Sequence, residues 1–147
     1  MPNTNFQFAG YPIQGADLAL YNFGGADIAA GLGVLIDTAN TMSAQNKEAP
    51  GVALPAVAGS IDASLGVTVD TLKAGAIGRV RFLGAVPMTA DSPITAGDYI
   101  TVSSAAGKLG FAKTAAKGSG IVVLGEALDT VADGDTVLVW LFGKRTA

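Results

Sequence analysis

The sequence contains no cysteine and no histidine. Without cysteine, the chain can form neither a disulfide nor a thiolate metal site. Without histidine, it lacks the side chain that most often acts as a general base near neutral pH, and also the commonest transition-metal ligand. A Ser-His-Asp triad is therefore excluded. We predict that the protein is not an enzyme and that it uses no metal and no cofactor.

Charged side chains are also scarce, at 14% of the residues, and they are unevenly placed. Residues 1–46 carry three aspartates and no lysine or arginine, so the net charge of −3 belongs to this segment. Phosphate backbones would repel such a chain, which predicts no nucleic-acid partner. No apolar run approaches the ~20 residues of a transmembrane helix, so no membrane partner is expected. The first basic residue is Lys47, so the basic start of a secretory signal is missing and cytoplasmic synthesis is expected.

Short apolar runs separated by turn residues fill the chain after residue 25, and they predict a mainly β fold, a small barrel or sandwich. The predicted strands are Tyr99–Val102, Leu109–Lys113, Ile121–Leu124, Ala127–Leu128 and Thr136–Phe142. Glycine supplies the positive φ that tight turns require. The glycines assigned to structural turns are Gly75, Gly97, Gly107 and Gly134. A short helix is possible around Ser60–Leu65 or Ala26–Ala30.

A weak internal duplication runs through the β-rich part. Residues 66–84 align without a gap to residues 125–143, and Ile28 and Gly31 match Ile94 and Gly97 in the same order. The identities include Gly66/Gly125, Asp70/Asp129, Gly75/Gly134, Val80/Val139 and Gly84/Gly143. We predict an extended N-terminal arm at 1–25 and a body at 26–147 built from two similar lobes, about 26–87 and 88–147. Gly75 and Gly134 should then occupy equivalent turns.

The last predicted strand is apolar on both faces. Leu138, Trp140 and Phe142 alternate with Val137, Val139 and Leu141, so both faces need cover. In the aligned strand of the first half, Arg79 and Arg81 stand in place of Leu138 and Trp140. Either the two halves pack differently, or the second face meets another subunit. Together with the low charge, this pattern predicts a homo-oligomer, with a trimer favoured and a dimer possible.

The first 25 residues hold half of the ten aromatic side chains, and their spacing fits neither a helix nor a strand. These aromatics are Phe6, Phe8, Tyr11, Tyr21 and Phe23. We interpret the segment as a docking arm whose aromatics, together with Trp140, anchor the protein to a partner. The alternative is that they pack on the chain's own core. If the segment is an arm, the body should fold without residues 1–24.

Several short patterns resemble chemical sites, but each has a plainer interpretation. Lys108 and Lys117 have serines nearby, as a catalytic Ser–Lys pair would require. They stand in turn-like sequence, however, where solvated lysines are usual. Gly31-x-Gly33 lacks the Lys-Ser/Thr of a phosphate-binding loop. Asp133-Gly134-Asp135 lacks the further oxygen ligands of a calcium loop and indicates a turn. Asp70 and Asp129 are each followed by threonine and are typical of turn-stabilising residues.

Two stretches carry a family resemblance. Ile94–Val102 with Ala106–Leu109, and Gly125–Asp129 with Ala132–Val139, resemble the glycine-rich strand pairs of capsid cement proteins of tailed bacteriophages, the head decoration proteins of lambda type. The resemblance covers about residues 51–142. It implies a structural virion protein on the outer capsid surface that binds the major capsid protein, stabilises the expanded head by bridging its subunits, often as a trimer, and performs no catalysis.

A second function class stays open: a carbohydrate- or receptor-binding β module of a phage fibre or a surface adhesin. Such a module is expected to display aromatic platforms on its folded body. The strand patterns instead assign Tyr99, Phe111 and Trp140 to strand cores. The sequence therefore favours the capsid-binding interpretation.

Overall fold

The computed structural model describes residues 16–40 and 49–147, and within these ranges the chain consists of strands, turns and irregular segments, without a helix. The strands are β1 (Ala16–Tyr21), β2 (Gly33–Ile36), β3 (Val52–Ala53), β4 (Ser64–Thr68), β5 (Ile77–Thr89), β6 (Tyr99–Val102), β7 (Ala112–Ala115), β8 (Val122–Ala127) and β9 (Thr136–Thr146). The prediction of a mainly β fold is confirmed. Neither candidate helix forms: β4 occupies Ser64–Thr68, and Ile28 forms an isolated bridge with Leu72.

The strands join in one antiparallel sheet whose order is symmetric about its centre. The order is β3-β2-β4-β5-β9-β8-β6-β7, and β1 is added along β5. The sheet curls into a half-barrel, which brings β4 into contact with β8 and β9. The order consists of two matching series, β3-β2-β4-β5 and β7-β6-β8-β9, that meet where β5 pairs with β9. The two halves of the sequence therefore form the two halves of the sheet.

The hydrogen bonds of the two series correspond residue by residue. Ile28 and Leu72 exchange two backbone bonds of 2.9 and 2.7 Å, and Ile94 and Val131 exchange two of 3.0 and 2.9 Å. The turns correspond as well, because Gly75 and Gly134 have φ values of 74° and 82°. Residues 66–84 and 125–143 thus follow a common strand–turn–strand path, as the aligned sequences predict.

β1 is the first strand of the first repeat, and it lies inside the segment predicted to be an arm. β1 pairs with the first part of β5, and the second part of β5 pairs with β9 in the same way. The pair Leu20–Gly78 therefore corresponds to the pair Met88–Val137. Leu20 and Met88 are both almost completely buried. The body therefore begins no later than Ala16, and removing residues 1–24 would delete a core strand. Residues 1–15 of the predicted arm lie outside the described residues.

The core follows the repeat and forms two clusters of buried side chains. The first contains Leu20, Ile28, Leu32, Val34, Val52, Leu72 and Val80. The second and larger one includes Met88, Ile94, Ile100, Val102, Val137, Val139 and Leu141. Alternate residues of β9 supply the second cluster, which leaves the other side of that strand to face away from the core.

Two glycines of the alignment are needed because strands approach closely at their positions. A Cβ on Gly66 would lie 2.3 Å from the carbonyl oxygen of Arg81, and one on Gly125 would lie 2.4 Å from that of Trp140. Such distances are shorter than any normal contact, so only glycine fits. Gly97 and Gly107 serve turns instead, with φ values of 93° and 78° and open space around them.

Strand ends differ from the predicted ones in three strands. β8 is one continuous strand over Val122–Ala127, where Ile121–Leu124 and Ala127–Leu128 were predicted, and the other two are β7 and β9. β7 begins at Ala112 and not at Leu109, because Gly110, with a φ of 83°, continues the preceding turn. Its N–H donates to the carbonyl oxygen of Ser103 at 2.9 Å, which holds that turn in place. β9 continues past Phe142 to Thr146, because β8 pairs with its last residues.

Candidate functional site

One side of β9 and its neighbours forms an apolar surface that nothing in the described chain covers. We call it the β9 face; its apolar residues are Leu83, Ala85, Pro87, Leu128, Leu138, Trp140 and Phe142. The partly exposed Glu126 of β8 pairs with Trp140 and borders the apolar residues on that side. The register of β5 against β9 sets Leu83 opposite Phe142, Ala85 opposite Trp140 and Pro87 opposite Leu138. Trp140 is 37% exposed, Leu138 39% and Leu128 48%. Large side chains exposed together in this way are typical of a protein–protein contact.

The equivalent surface of the first half is charged and closed by ion pairs. Arg79 and Arg81 occupy the positions of Leu138 and Trp140, as the alignment shows. Arg81 Nε lies 2.8 Å from Asp17 Oδ1, and Arg79 Nε lies 2.9 Å from Asp70 Oδ2. The halves therefore differ in chemistry at the same architectural position.

The Arg79–Asp70 pair gives the protein an acid-sensitive contact. Arg79 donates to both oxygens of Asp70, at 2.9 and 3.1 Å. These hydrogen bonds lower the pKa of Asp70 below its ordinary value of 3.8 and raise the pKa of Arg79. A carboxyl whose pKa is lower in the folded state than in the unfolded state stabilises the fold above its unfolded pKa, and it loses that contribution as the pH falls through the folded value.

We therefore expect stability to fall as the pH drops below ~4, and Asp70→Asn to make this loss smaller. Asp129→Asn is the matched control. Asp129 occupies the equivalent position in the second half, but it has no basic partner among the described residues. Its Oδ1 accepts a hydrogen bond from the N–H of Leu138 at 3.0 Å. Urea unfolding at about pH 6 and about pH 3 measures the effect. Equal acid sensitivity in the wild-type protein and in Asp70→Asn would contradict this prediction.

Charged side chains surround the β9 face, and one of them, Glu126, lies beside its centre as the partner of Trp140. At the Leu138 end lie the exposed carboxylates of Asp129 and Asp135. At the Phe142 end, the guanidinium carbon of Arg145 lies 3.9 Å from the centre of the Phe142 ring. A guanidinium nitrogen of Arg145 also donates a hydrogen bond to the Tyr99 hydroxyl at 3.2 Å. Lys117 Nζ lies 4.7 Å from the centre of the Tyr99 ring. These cation–π contacts hold both basic groups beside the apolar surface.

Four basic residues of the described chain form ion pairs, whereas Lys113, Lys117, Lys144 and Arg145 form none there. Lys73, Arg79, Arg81 and Lys108 all form ion pairs with aspartates. Within residues 16–40 and 49–147, neither Lys117 nor Arg145 forms an ion pair. Both are exposed. Their charges are therefore available to a carboxylate on another molecule.

The structure separates the aromatic residues that the sequence grouped as docking residues. Phe6, Phe8 and Tyr11 lie outside the described residues. Tyr21 and Phe23 stack on each other, with ring centres 5.0 Å apart, near Gly51 at the end of β1. Trp140 lies on β9, at the centre of the β9 face. The assignment of Tyr99 and Trp140 to strand cores is wrong, because Trp140 is 37% exposed and Tyr99 contacts two cations at the surface.

Sequence reasoning did not identify Lys117, Arg145 and Tyr99 as members of one site. They come from three separate segments that meet because β6 and β9 both pair with β8. The available signal was the pair of bases that follows the apolar part of the last strand, Lys144 and Arg145.

Lys108, one of the two lysines with serines nearby in the sequence, forms ion pairs with two aspartates. Its Nζ lies 2.8 Å from Asp133 Oδ1 and 3.5 Å from Asp91 Oδ1. The hydrogen bond to Asp133 raises the pKa of Lys108, so its amine stays protonated. Among the described residues, no three acidic side chains gather into a possible metal site. Nor does this part of the chain contain a helix with the length and hydropathy of a membrane span.

Comparison with known proteins finds a similar fold. The sequence matches no family model, and no curated protein matches it. Among solved structures, it is similar to the head fiber gp8.5 N base of bacteriophage phi29, with a TM-score of 0.57 and 17% identity. The match covers 90% of this chain and 98% of that one. At this identity the likeness shows that the two chains share a fold.

Proposed function

We propose that this chain is a structural protein of a bacteriophage head, bound to the outer surface of the capsid, where it stabilises the head by bridging major capsid subunits. The observation that carries the proposal is the fold likeness to a phage head fiber protein, which extends over nearly the whole chain. Two further observations support it. The sequence resembles capsid cement proteins, and the exposed apolar residues of the β9 face fit association with protein.

The proposed activity is binding, without a chemical step. A protein that binds the assembled, expanded capsid and not its dissociated subunits stabilises the assembled capsid by mass action. The stabilisation grows with the logarithm of the protein's concentration divided by its dissociation constant for the capsid. Many copies on one lattice add their effects. No group of this chain needs to donate or accept a proton, which fits a chain without histidine.

We assign the capsid contact to residues 1–15, on the basis of their sequence. This segment contains Phe6, Phe8 and Tyr11 and no charged side chain. Aromatic side chains provide a large contact area for little loss of conformational freedom, so a few of them can dominate an interface. The segment joins the body at Ala16, which pairs with Leu83 at the border of the β9 face.

Deleting residues 2–15 is expected to abolish capsid binding while leaving a folded body, because β1 begins at Ala16. The measurement is occupancy on heads lacking this protein, by sedimentation of the mixture, together with the melting temperature of the same variant. A milder variant is Phe6→Ala with Phe8→Ala, which should weaken capsid binding by ~2–4 kcal/mol if both rings are anchors. Full binding by a stably folded deletion variant would contradict the assignment.

One observation supports the carbohydrate- or receptor-binding alternative, and another counts against it. Trp140 is an exposed aromatic side chain on the folded body, as such a module would require. Tyr99 is half-buried, and Lys117 and Arg145 lie over its ring, so it does not form an open platform for a sugar. Leu128, Leu138 and Pro87 around Trp140 favour a protein surface as the occupant.

A further inference from the structure

The side of β1 that faces away from β5 is an open sheet edge. Within residues 16–40 and 49–147, β1 pairs with β5 alone, apart from an isolated bridge between Tyr21 and Gly51. The N–H of Tyr21 lies on the open side, because it donates to the carbonyl oxygen of Pro50 at 3.0 Å. Backbone groups of successive strand residues point to alternate sides, so those of Asp17 and Ala19 also face away from β5. We call this side of β1 the β1 edge.

The second repeat shows how the equivalent edge is closed there. The carbonyl oxygen of Ala85 accepts a hydrogen bond from Arg81 Nη1 at 2.7 Å. The next residue on that side, Pro87, has no N–H. The N–H of Thr89 donates to the carbonyl oxygen of Gly31 at 3.3 Å. In the described part of the first repeat, only the Tyr21 end of the β1 edge is closed in a comparable way.

The two strands at the ends of the sheet are protected by other means. β3 is only two residues long, and β7 carries the exposed Lys113. Short length and lysine side chains both prevent further strands from adding to an edge. β1 has six residues and no lysine, and Leu18 on it is 38% exposed. The β1 edge is therefore a template on which another extended segment can pair.

The chain that leads into β1 contains a sequence suited to this edge. Asn5-Phe6-Gln7-Phe8 alternates polar and apolar residues, which is the pattern of a half-buried strand. The segment ends at Ala16, the first residue of β1. With Asn5 opposite Ala19 and Gln7 opposite Asp17, residues 10–14 form the connection, and hairpin loops of this length are common. Gly10 and Pro12 within it are typical turn residues.

We propose that residues 5–8 add to the β1 edge of their own chain as an antiparallel strand in the free protein. In this register, the open backbone groups of Asp17 and Ala19 pair with those of Gln7 and Asn5. Residues that face each other on neighbouring strands share one side of the sheet. The polar side chains of residues 5 and 7 therefore join Asp17, beside its ion pair with Arg81. Phe6 lies opposite Leu18 on the other side and covers it.

The covalent connection selects the chain's own segment over a strand from another molecule. A short flexible connection gives a tethered group an effective concentration on the order of millimolar. A competing strand must match that concentration or bind more tightly. The segment assigned to the capsid contact is then held on its own body until a capsid competes for it. This last step rests on the proposed function, whereas the pairing itself does not.

Amide hydrogen exchange of the purified full chain, measured without capsids, tests the pairing. The N–H of Ala19 should exchange at least ~10-fold more slowly in the full chain than after deletion of residues 2–15, because only the full chain supplies an acceptor on that side. The N–H of Leu20 is the internal control. It faces β5 and should be protected equally in both proteins. Equal exchange of the Ala19 N–H in the two proteins would overturn the proposal.

Cysteine pairs test the register and the source of the strand, since the natural chain has no cysteine. Asn5→Cys with Ala19→Cys should form a disulfide within one chain, because Cα atoms that face each other across a hydrogen-bonded pair lie about 5.5 Å apart. Asn5→Cys with Ile77→Cys is the matched control. Ile77 is 51% exposed on the neighbouring β5 but lies opposite Tyr21, so this pair should oxidise at least ~10-fold more slowly.

Two results of the cysteine experiment would overturn the proposal. Equal oxidation rates for the two pairs would show that residues 5–8 do not pair with β1. A disulfide that joins two chains, together with a dimer in sedimentation, would identify a second copy as the source of the strand. Neither result depends on capsid binding, so failure of this proposal and failure of the proposed function are separate outcomes.

Discussion

Replacing Gly66 by alanine is expected to lower the free energy of unfolding by about 3 kcal/mol, or ~10 °C in melting temperature. The added Cβ would lie 2.3 Å from the carbonyl oxygen of Arg81 and 3.1 Å from a methyl group of Val80. A backbone oxygen in a paired strand cannot rotate away as a side chain can, so β4 and β5 must separate. Gly125→Ala should have a similar effect, since its Cβ would lie 2.4 Å from the carbonyl oxygen of Trp140.

Gly25→Ala is the control, because nothing lies within 4 Å of its Cβ position and its φ is not positive. It should change stability by less than ~0.5 kcal/mol. Thermal unfolding of the three variants by circular dichroism makes the comparison. If Gly66→Ala and Gly25→Ala melted at the same temperature, close strand approach would not be the reason for glycine at position 66.

The alignment that placed Gly66 opposite Gly125 shows how much of the fold the sequence determines locally. Turns need positive φ and close strand crossings need the absence of a Cβ, so both constraints appear as matched glycines. β1 shows the limit. Its residues Asp17–Tyr21 share no identity with Ala85–Thr89, their counterparts in the second part of β5. The shared requirement is only an apolar side chain at Leu20 and Met88. The sequence pattern of a strand specified by so little does not distinguish it from the predicted arm.

The candidate site was only partly predictable for a related reason. The alternation in β9 correctly separates Val137, Val139 and Leu141 from Leu138, Trp140 and Phe142. Alternation cannot tell which of two apolar faces the chain itself covers, because that depends on how the sheet curls. The sequence thus indicated Trp140 as an interface residue and also as a core residue. The charged ends of the face depend on loops that long-range pairing brings together.

The second large effect is expected at a position where the two repeats fill the same space differently. In the first half, Leu72 lies over Gly78, and a Cβ on Gly78 would lie 2.1 Å from a methyl group of Leu72. The aligned residues in the second half are Val131 and Val137. A large residue beside glycine is thus exchanged for two of intermediate size, which conserves the packed volume.

Gly78→Val alone should therefore cost about 3 kcal/mol through overpacking, and Leu72→Val alone about 1 kcal/mol through the small cavity it leaves. The double variant introduces the pair of the second half and should lie within ~1 kcal/mol of the wild-type protein, which corresponds to a favourable coupling energy of about 3 kcal/mol. Urea unfolding of the four proteins completes the cycle. Additive losses would show that the two repeats accommodate these positions independently, and that Leu72 does not exclude a side chain at position 78.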